Sequence, residues 1–563
     1  MLIVLILVGI VASSLNTFLK PIIKKNLQVL VVEGSNNLYK FSLSDYTIGK
    51  GGRTVELKGF KIEVDSVRYF ELKKLNLLPK LIATIKINDA KLTGLDALNL
   101  WRHNNIEVDD IVMSGAVIRL QQQKNDSVTT QPSKTLYEYI KKEIQSIKIS
   151  HIGLKDADIT FRTLQQETQQ KDSWRFEKTS IKIDDIYVDS LSHNDTTRIL
   201  YAGNIQLGFN KFKMKSTDGT HEFSISKTLF DFKKRMFILD TFKMRPSISQ
   251  AEFNKKIGHE DNRLTITIPK VEFENFKASE LFTDNNLIAK KIRINNPNIL
   301  IFKDRTAGPS LVSKMFKYPH QILLNAKIQI NIDSLVISNG AFTYSEKHPK
   351  TGRMSYFRFT RINGPLDNIT NNLSKIASNS WCKARLNANF MGVNQMTALF
   401  QFDLAAKNGH FITDATLNSL SARHINPSLY SLAQVRAESF ILNKLVYHIE
   451  GYDYKAFGNL KFLYSNLKLS VLKNDEGEIK KRGGISMLAN LFVHNDNLPD
   501  ENERKAINIK EKRITNKNFF NLICKTLISC LVQIVVKGDS DKKNLASRAS
   551  KKKRKSTTKD SKL

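Results

Sequence analysis

The sequence predicts a mainly β protein: an elongated, curved, repeat-built sheet whose apolar face lines an open trough, with an N-terminal transmembrane helix and a C-terminal amphipathic helix. Three observations predict it. A period-two apolar pattern with a fixed internal break recurs along the body. The first 19 residues carry no charged side chain and are largely apolar. Near the other end, residues 517–537 combine a wide apolar surface with a narrow polar stripe.

The recurring unit reads apolar, x, apolar, x, x, apolar, x, apolar. It occurs at Ile62/Val64/Val67/Tyr69, Ile85/Ile87/Ala90/Leu92, Ile106/Val108/Ile111/Met113, Ile147/Ile149/Ile152/Leu154 and Ile181/Ile183/Ile186/Val188. It returns at Ile266/Ile268/Val271/Phe273 and Ile330/Ile332/Leu335/Ile337, and Ile292/Ile294/Pro297/Ile299 is a variant. Chance alone would give about one or two such matches in this composition. Alternation with period two means a strand with one apolar and one polar face. The adjacent pair in the middle (Asp65-Ser66, Asp109-Asp110, Asp333-Ser334) shifts the phase, and a bulge or bend there keeps both halves' apolar residues on one side. Three copies run on in step: IEVDDIVMSGAVIRL (106–120), IKISHIGLKDADITF (147–161) and INIDSLVISNGAFTY (330–344). Their Ser-Gly, Lys-Asp or Asn-Gly marks a second break. Stacked copies give one long sheet, apolar on one face. A sandwich would bury that face against a second sheet; an open trough would hold something apolar.

At the N-terminus, Leu2 to Ala12 is apolar and no charge appears before Lys20. A helix of roughly 19 residues just reaches across a hydrocarbon core of about 30 Å. A cleaved signal peptide and a retained anchor both fit; apolar character resuming at Phe18, Leu19, Ile22 and Ile23 favours the anchor, over residues 1–20, followed by an amphipathic linker over 21–45. Lys20, Lys24 and Lys25 follow the segment, an order that by the positive-inside rule leaves the body in the cytoplasm. The β body covers 46–515. In the amphipathic helix, Asn521, Lys525, Ser529 and Gln533 share one face, and the rest of the surface is apolar, suited to a membrane interface, an apolar groove or an ordinary core. A basic tail, 538–563, contains Lys551-Lys552-Lys553-Arg554-Lys555 and ends in Ser-Lys-Leu, a weak match to a peroxisomal address.

The formal net charge of +33 fits either a lysine-rich composition or attraction to anionic lipid or nucleic acid. No interleaved aromatic and basic motif accompanies it, so nucleic acid is not an expected partner. Cys382, Cys524 and Cys530 form no disulfide framework and no metal pattern.

The anchor, PIIKKNLQVLVVEGSNNLYKFSLSDYTI, VELKGFKIEVDSVRY, residues 330–370 and FQFDLAAKNGHFITDATLNSLSARHINPSLYSL (400–432) together resemble the AsmA-like family, related to TamB and the bridge-like lipid-transfer proteins. The resemblance runs over nearly the whole chain on patterns, not invariant motifs. It implies an inner-membrane anchor, a periplasmic body with a taco-shaped apolar groove, and a role in envelope lipid transport or outer-membrane homeostasis. Membrane phospholipid is then the expected ligand, and outer-membrane assembly factors are candidate partners. The repeat supplies the expected groove lining: Ile62, Val64, Ile85, Ile87, Ile106, Val108, Ile111, Met113, Ile147, Ile149, Ile152, Leu154, Ile181, Ile183, Ile266, Ile268, Ile330, Ile332, Leu335 and Ile337.

No enzyme, cofactor or metal site is expected. Gly49-Lys50-Gly51-Gly52 lacks the order of a phosphate-binding loop and reads as a turn. His448 and Glu450 alternate on a strand and read as surface contacts.

Overall fold

The computed structural model describes most of residues 32–536; residues 1–31, 124–136, 165–171, 472–492 and 537–563, with a few shorter stretches, lie outside the described residues. The expected anchor, most of the linker, and the basic tail therefore fall outside them. The described strands form one mixed sheet of 23 strands. No helix among the described residues is long and apolar enough to cross a membrane. The chain divides into two compact units, Met1–Ser247 with Lys270–Ser279, and Ile248–Pro269 with Glu280–Leu563.

In the first unit, β1 (Tyr39–Ser42) and β2 (Asp45–Ile48) pair with β3 (Thr54–Val64), which continues into helix α1 (Ser66–Lys74). The glycine-rich segment between β2 and β3 begins and ends as a turn: the Gly49 amide donates to the Thr54 carbonyl at 2.9 Å. β4 (Leu81–Thr93) runs antiparallel to β3 and, after α2 (Ala97–His103), to both β5 (Asn105–Ser114) and β6 (Val117–Gln123). β5 and β6 are one long strand interrupted at Gly115, where φ is 63°. β7 (Ser146–Leu164) lies parallel to both, pairing Ile106 with Ile147 and Leu120 with Phe161. Two of the extended sequence copies are thus neighbours in the sheet, in step from end to end. β8 (Asp172–Val188), β9 (Ala202–Phe209), β10 (Lys211–Lys215), β11 (His221–Asp231) and β12 (Met236–Pro246) continue as antiparallel strands.

The second unit repeats this plan. α3 (Gln250–Ile257) leads into β13 (Asn262–Glu274), whose Asn262–Thr267 pair antiparallel with β15. α4 (Ala278–Thr283) precedes β14 (Asn286–Asn295) and β15 (Asn298–Asp304), again one strand in two pieces, parallel to β16 (Gln329–Lys347). Leu287 faces Ile330, Ile292 faces Leu335 and Ile299 faces Phe342, so the proline variant is the parallel partner of the third extended copy. Between β15 and β16 lies α5 (Pro319–Leu324). β17 (Met354–Thr370), α6 (Leu373–Ser378), β18 (Trp381–Phe390), β19 (Asn394–Asp403), β20 (Phe411–Ser421), α7 (Ala422–Leu432), β21 (Val435–Gly451), β22 (Lys455–Val471) and β23 (Lys505–Lys512) follow, and α8 (Phe519–Val535) is the expected amphipathic helix.

The breaks have a consistent chemistry. An inward residue is followed by a polar pair whose second member has positive φ, then by the next inward residue. Examples are Leu154-Lys155-Asp156-Ala157 (φ 51°), Ile183-Asp184-Asp185-Ile186 (φ 55°), Ile337-Ser338-Asn339-Gly340 (φ 52°) and Leu417-Asn418-Ser419-Leu420 (φ 51°). Asp and Asn tolerate this left-handed conformation better than branched residues do. At the first break of the motif, the left-handed residue sits on the antiparallel partner: Asp185 lies beside Asp184, opposite His151, and Asn368 beside Asp367, opposite Ser334. The phase shift expected from the sequence is therefore made by both strands of a pair.

One copy departs from the expectation. Ile62/Val64/Val67/Tyr69 is not two half-strands. Asp65 ends the strand and caps α1, accepting from the amides of Val67 at 2.9 Å and Arg68 at 3.1 Å. An aspartate followed by a serine is a helix start as readily as a strand break.

Candidate functional site

The same inward face is treated differently along the chain. In the first unit, Ile62, Ile85, Ile87, Ile106, Val108, Ile111, Met113, Ile147, Ile149, Ile152 and Leu154 are all at most 5% exposed and belong to one closed cluster. Val64, Ile181 and Ile183 pack on its margin, half-buried. Beyond that margin the face stays apolar without being covered. Leu207, Phe209, Phe212, Phe223, Ile225, Phe242 and Met244 are half-buried. Cross-strand pairing puts Phe223 opposite Met244, and Ile225 opposite Phe242.

In the second unit, Ile266, Ile268, Ile330, Leu335 and Ile337 are half-buried, and Ile332 is buried. Register extends this surface across β17 and β18: Phe342 faces Phe359, Tyr344 faces Phe357, and Phe359 faces Phe390. The Phe359 ring lies 6.3 Å from Phe342 and 5.3 Å from Phe390, centroid to centroid. Sequence reasoning placed Phe342 and Tyr344 in the repeat but missed Phe357 and Phe359, because β17 breaks at Thr360-Arg361 and carries few aliphatics. The β-strand rule of alternation would have found them.

α8 lies over the last strands. Phe519, Leu522, Ile523, Thr526, Cys530 and Ile534 are buried in the core of that region. Gly458 lets the helix approach: a Cβ there would meet Thr526 Cγ2 at 2.5 Å and Cys530 Sγ at 3.0 Å. The polar stripe engages β23, with Lys525 Nζ 2.6 Å from Glu511 and Ser529 Oγ donating to Glu511 at 2.8 Å. A third stripe, Phe520, Cys524, Leu527 and Leu531, is exposed or half-buried. Cys524 is exposed to solvent, yet crowding by surrounding protein pushes its thiol up to about 11, and the Glu346 carboxylate adds to the shift.

A charged row follows the apolar residues along β13, β15, β16 and β17. Asn262, Lys303, Glu346 and Ser355 are cross-strand neighbours, one step beyond Ile301, Tyr344 and Phe357. Glu260, 4% exposed, is paired with Lys517, with Lys303 at 3.2 Å and with Arg305 at 3.5 Å. Burial alone would raise its pKa, but Lys517 and Lys303 outweigh it and hold the carboxyl below its ordinary value. Arg305 also reaches Glu346 at 3.1 Å, and the Tyr344 hydroxyl donates to Glu346 at 3.1 Å. Burial, reinforced by that carboxylate, raises the Tyr344 phenol well above its ordinary range.

The outward face of β18 to β23 carries a trench of about 660 Å³. Ala398, Ala415 and Leu460 are among the residues that line it. Its walls include Arg385, Thr416, Lys461 and Lys505, and His448 bound to Asp414 at 2.7 Å. Glu450 pairs elsewhere, with the Tyr452 hydroxyl at 2.5 Å and His410 at 3.1 Å; these bonds, the Tyr452 one foremost, lower its pKa. His448 and Glu450 are therefore separate contacts.

His320 of α5 is 2% exposed, stacked on Phe402 at 5.2 Å, and neither ring nitrogen has a hydrogen-bond partner. Burial lowers its pKa to about 4. Because the unfolded chain protonates near 6.5, this depressed value makes stability complete above pH 6.5 and falling as pH drops towards 4. The loss is on the order of 3 kcal/mol. His320→Phe is expected to flatten the Tm profile between pH 6.5 and 4; an unchanged profile would contradict this origin.

Among the described residues, no group of His, Cys, Asp and Glu is arranged to hold a metal ion. No protein-family model and no curated protein matches the chain.

Proposed function

We propose that this chain is an inner-membrane-anchored envelope protein whose apolar β-groove binds or transfers lipid between membranes and supports outer-membrane homeostasis. One observation carries the reading: the inward face of the second unit is apolar but only half-buried at Ile266, Ile330, Leu335 and Ile337, and Phe357 and Phe359 continue it at the margin of the buried cluster. An ordinary globular sheet buries such a face, and a large uncovered one invites an apolar ligand or aggregation. Acyl chains satisfy it without any directional chemistry. The polar row at Lys303, Arg305 and Glu346 offers a place where a headgroup could remain hydrogen-bonded. The resemblance to AsmA-like proteins supplies the cellular setting. The anchor, the periplasmic placement of the body and the use of phospholipid belong to this proposal.

Purification of the full chain in mild detergent, followed by lipid extraction and mass spectrometry, is expected to recover bound phospholipid; a chain stripped of lipid and still soluble would contradict the reading. Reporter fusions after Lys25 are expected to place the body outside the cytoplasm, and a cytoplasmic body would remove the envelope setting.

A second reading has one observation behind it. Among the described residues β23 pairs with β22 along one edge, leaving its other edge open to strand addition. A structural factor for nascent outer-membrane proteins would use such an edge, and crosslinks from β23 to β-barrel precursors, with no lipid bound, would favour it.

A further inference from the structure

α1 and the turn after it carry apolar side chains that the fold does not use. Val67 is 70% exposed, Phe70 60%, Leu75 62% and Leu77 65%. The element bearing them is well held. Leu72, on the opposite side of α1, is 3% exposed, and Tyr69 packs against the closed cluster of the first unit. The turn is fixed by the Leu75 amide donating to Glu71 at 3.1 Å and the Leu77 amide donating to Leu72 at 2.9 Å. These side chains are thus presented on a rigid support.

The polar surroundings of the patch indicate its partner. Lys73 and Lys74 occupy the last turn of α1, and Arg68 bonds Glu71 at 2.9 Å. Lys74 falls between Val67 and Phe70 around the helix, so a cation stands within the apolar face itself. Long cationic side chains that border apolar ones suit an anionic bilayer surface, where the stems lie along acyl chains and the ammonium groups meet phosphate. A second protein copy would have to bury those cations.

The location agrees. The chain arrives at this end of the sheet from the uncharged apolar stretch of residues 2–19, and the Asp65 amide donates to the Leu38 carbonyl at 2.8 Å. Lys40 Nζ lies 2.7 Å from Asp65, which caps α1. Among the described residues, Leu38 and Lys40, early in the chain, therefore abut the patch.

We infer that Val67, Phe70, Leu75 and Leu77 form a wedge that inserts into an anionic lipid surface and sets this end of the first unit against the membrane. The inference is independent of the groove: a chain with no lipid in its sheet would still dock here.

The test uses the full chain with Cys524→Ser, which leaves only the buried Cys382 and Cys530. An environment-sensitive fluorophore is attached at Phe70→Cys or Leu77→Cys, and at exposed Lys213→Cys as a control. The protein is mixed with vesicles of phosphatidylcholine and phosphatidylglycerol. Labels at 70 and 77 are expected to shift to shorter wavelength, to be quenched by acyl-chain nitroxides and to lose iodide quenching, while the label at 213 is unchanged. Lys73→Glu with Lys74→Glu is expected to weaken the nitroxide quenching. Failure of the chain to float with the vesicles, labels at 70 and 77 that behave like the one at 213, or protection that grows with protein concentration without nitroxide quenching, each overturns the inference.

Discussion

Replacing Ile149 with aspartate is expected to unfold the first unit. Ile149 is fully buried between Val108, its parallel partner on β5, and Ile186, its antiparallel partner on β8. Loss of the side chain's burial costs about 3 kcal/mol. Sinking a carboxylate into the same place, with no cation or donor to meet it, adds several more. The sum is comparable with the roughly 5–15 kcal/mol that holds an ordinary domain together. Circular dichroism and limited proteolysis would show the loss. A cooperative Tm close to that of the unmodified chain would mean that the cluster around Ile149 is open to water, and that the division between covered and uncovered stretches of the inward face is wrong.

The same substitution on the uncovered face should have the opposite balance. Phe357→Asp with Phe359→Asp is expected to leave the chain folded, at a stability cost of about 1–3 kcal/mol, and to abolish copurification of phospholipid. Both phenylalanines are half-buried at the margin of the buried cluster, so their carboxylate replacements keep partial access to water. Backbone pairing with Tyr344, Phe342 and Phe390 does not depend on the side chains. What is lost is the apolar lining between the β16 and β18 aromatics, and two charges there would repel an acyl chain from the centre of the surface. Lipid extraction from the variant and the unmodified chain, compared at equal protein, measures the effect. Undiminished lipid in a folded variant would remove Phe357 and Phe359 from the site.

This pair of outcomes bears on what a sequence can disclose. Ile147/Ile149 and Ile330/Ile332 obey one pattern, with the same spacing and residue types, yet Ile147 is sealed while Ile330, at the same place in the pattern, is only half-buried; Ile332 is buried, as Ile149 is. A strand's alternation states that one face is apolar; it does not state what lies across that face. Cover comes from elements distant in sequence, as α8 covers Gly458 and Leu460 in the second unit. Partner choice was equally hidden. The copies at 106–120 and 147–161 resemble each other because they lie side by side in parallel, but likeness alone does not name neighbours. Some of the breaks, by contrast, were readable, since Gly115, Asp156 and Asn339 are residue types that accept positive φ, whereas Arg361 and Ser419 carry no such signal. α1 was misread because Asp65-Ser66 serves as a helix cap and as a strand break with the same two residues. The charged row escaped because Glu260, Lys303 and Lys517 come together only in the folded chain.

Site-specific photocrosslinking tests the central claim most directly. A photoreactive phenylalanine analogue at Phe359 would face the apolar surface; the same analogue at Tyr356, an exposed position on the other face of β17, is the matched control. Irradiation in native membranes is expected to attach phospholipid to the chain at position 359 and not at 356. Equal labelling at both positions, or none at 359, would contradict a lipid-holding inward face.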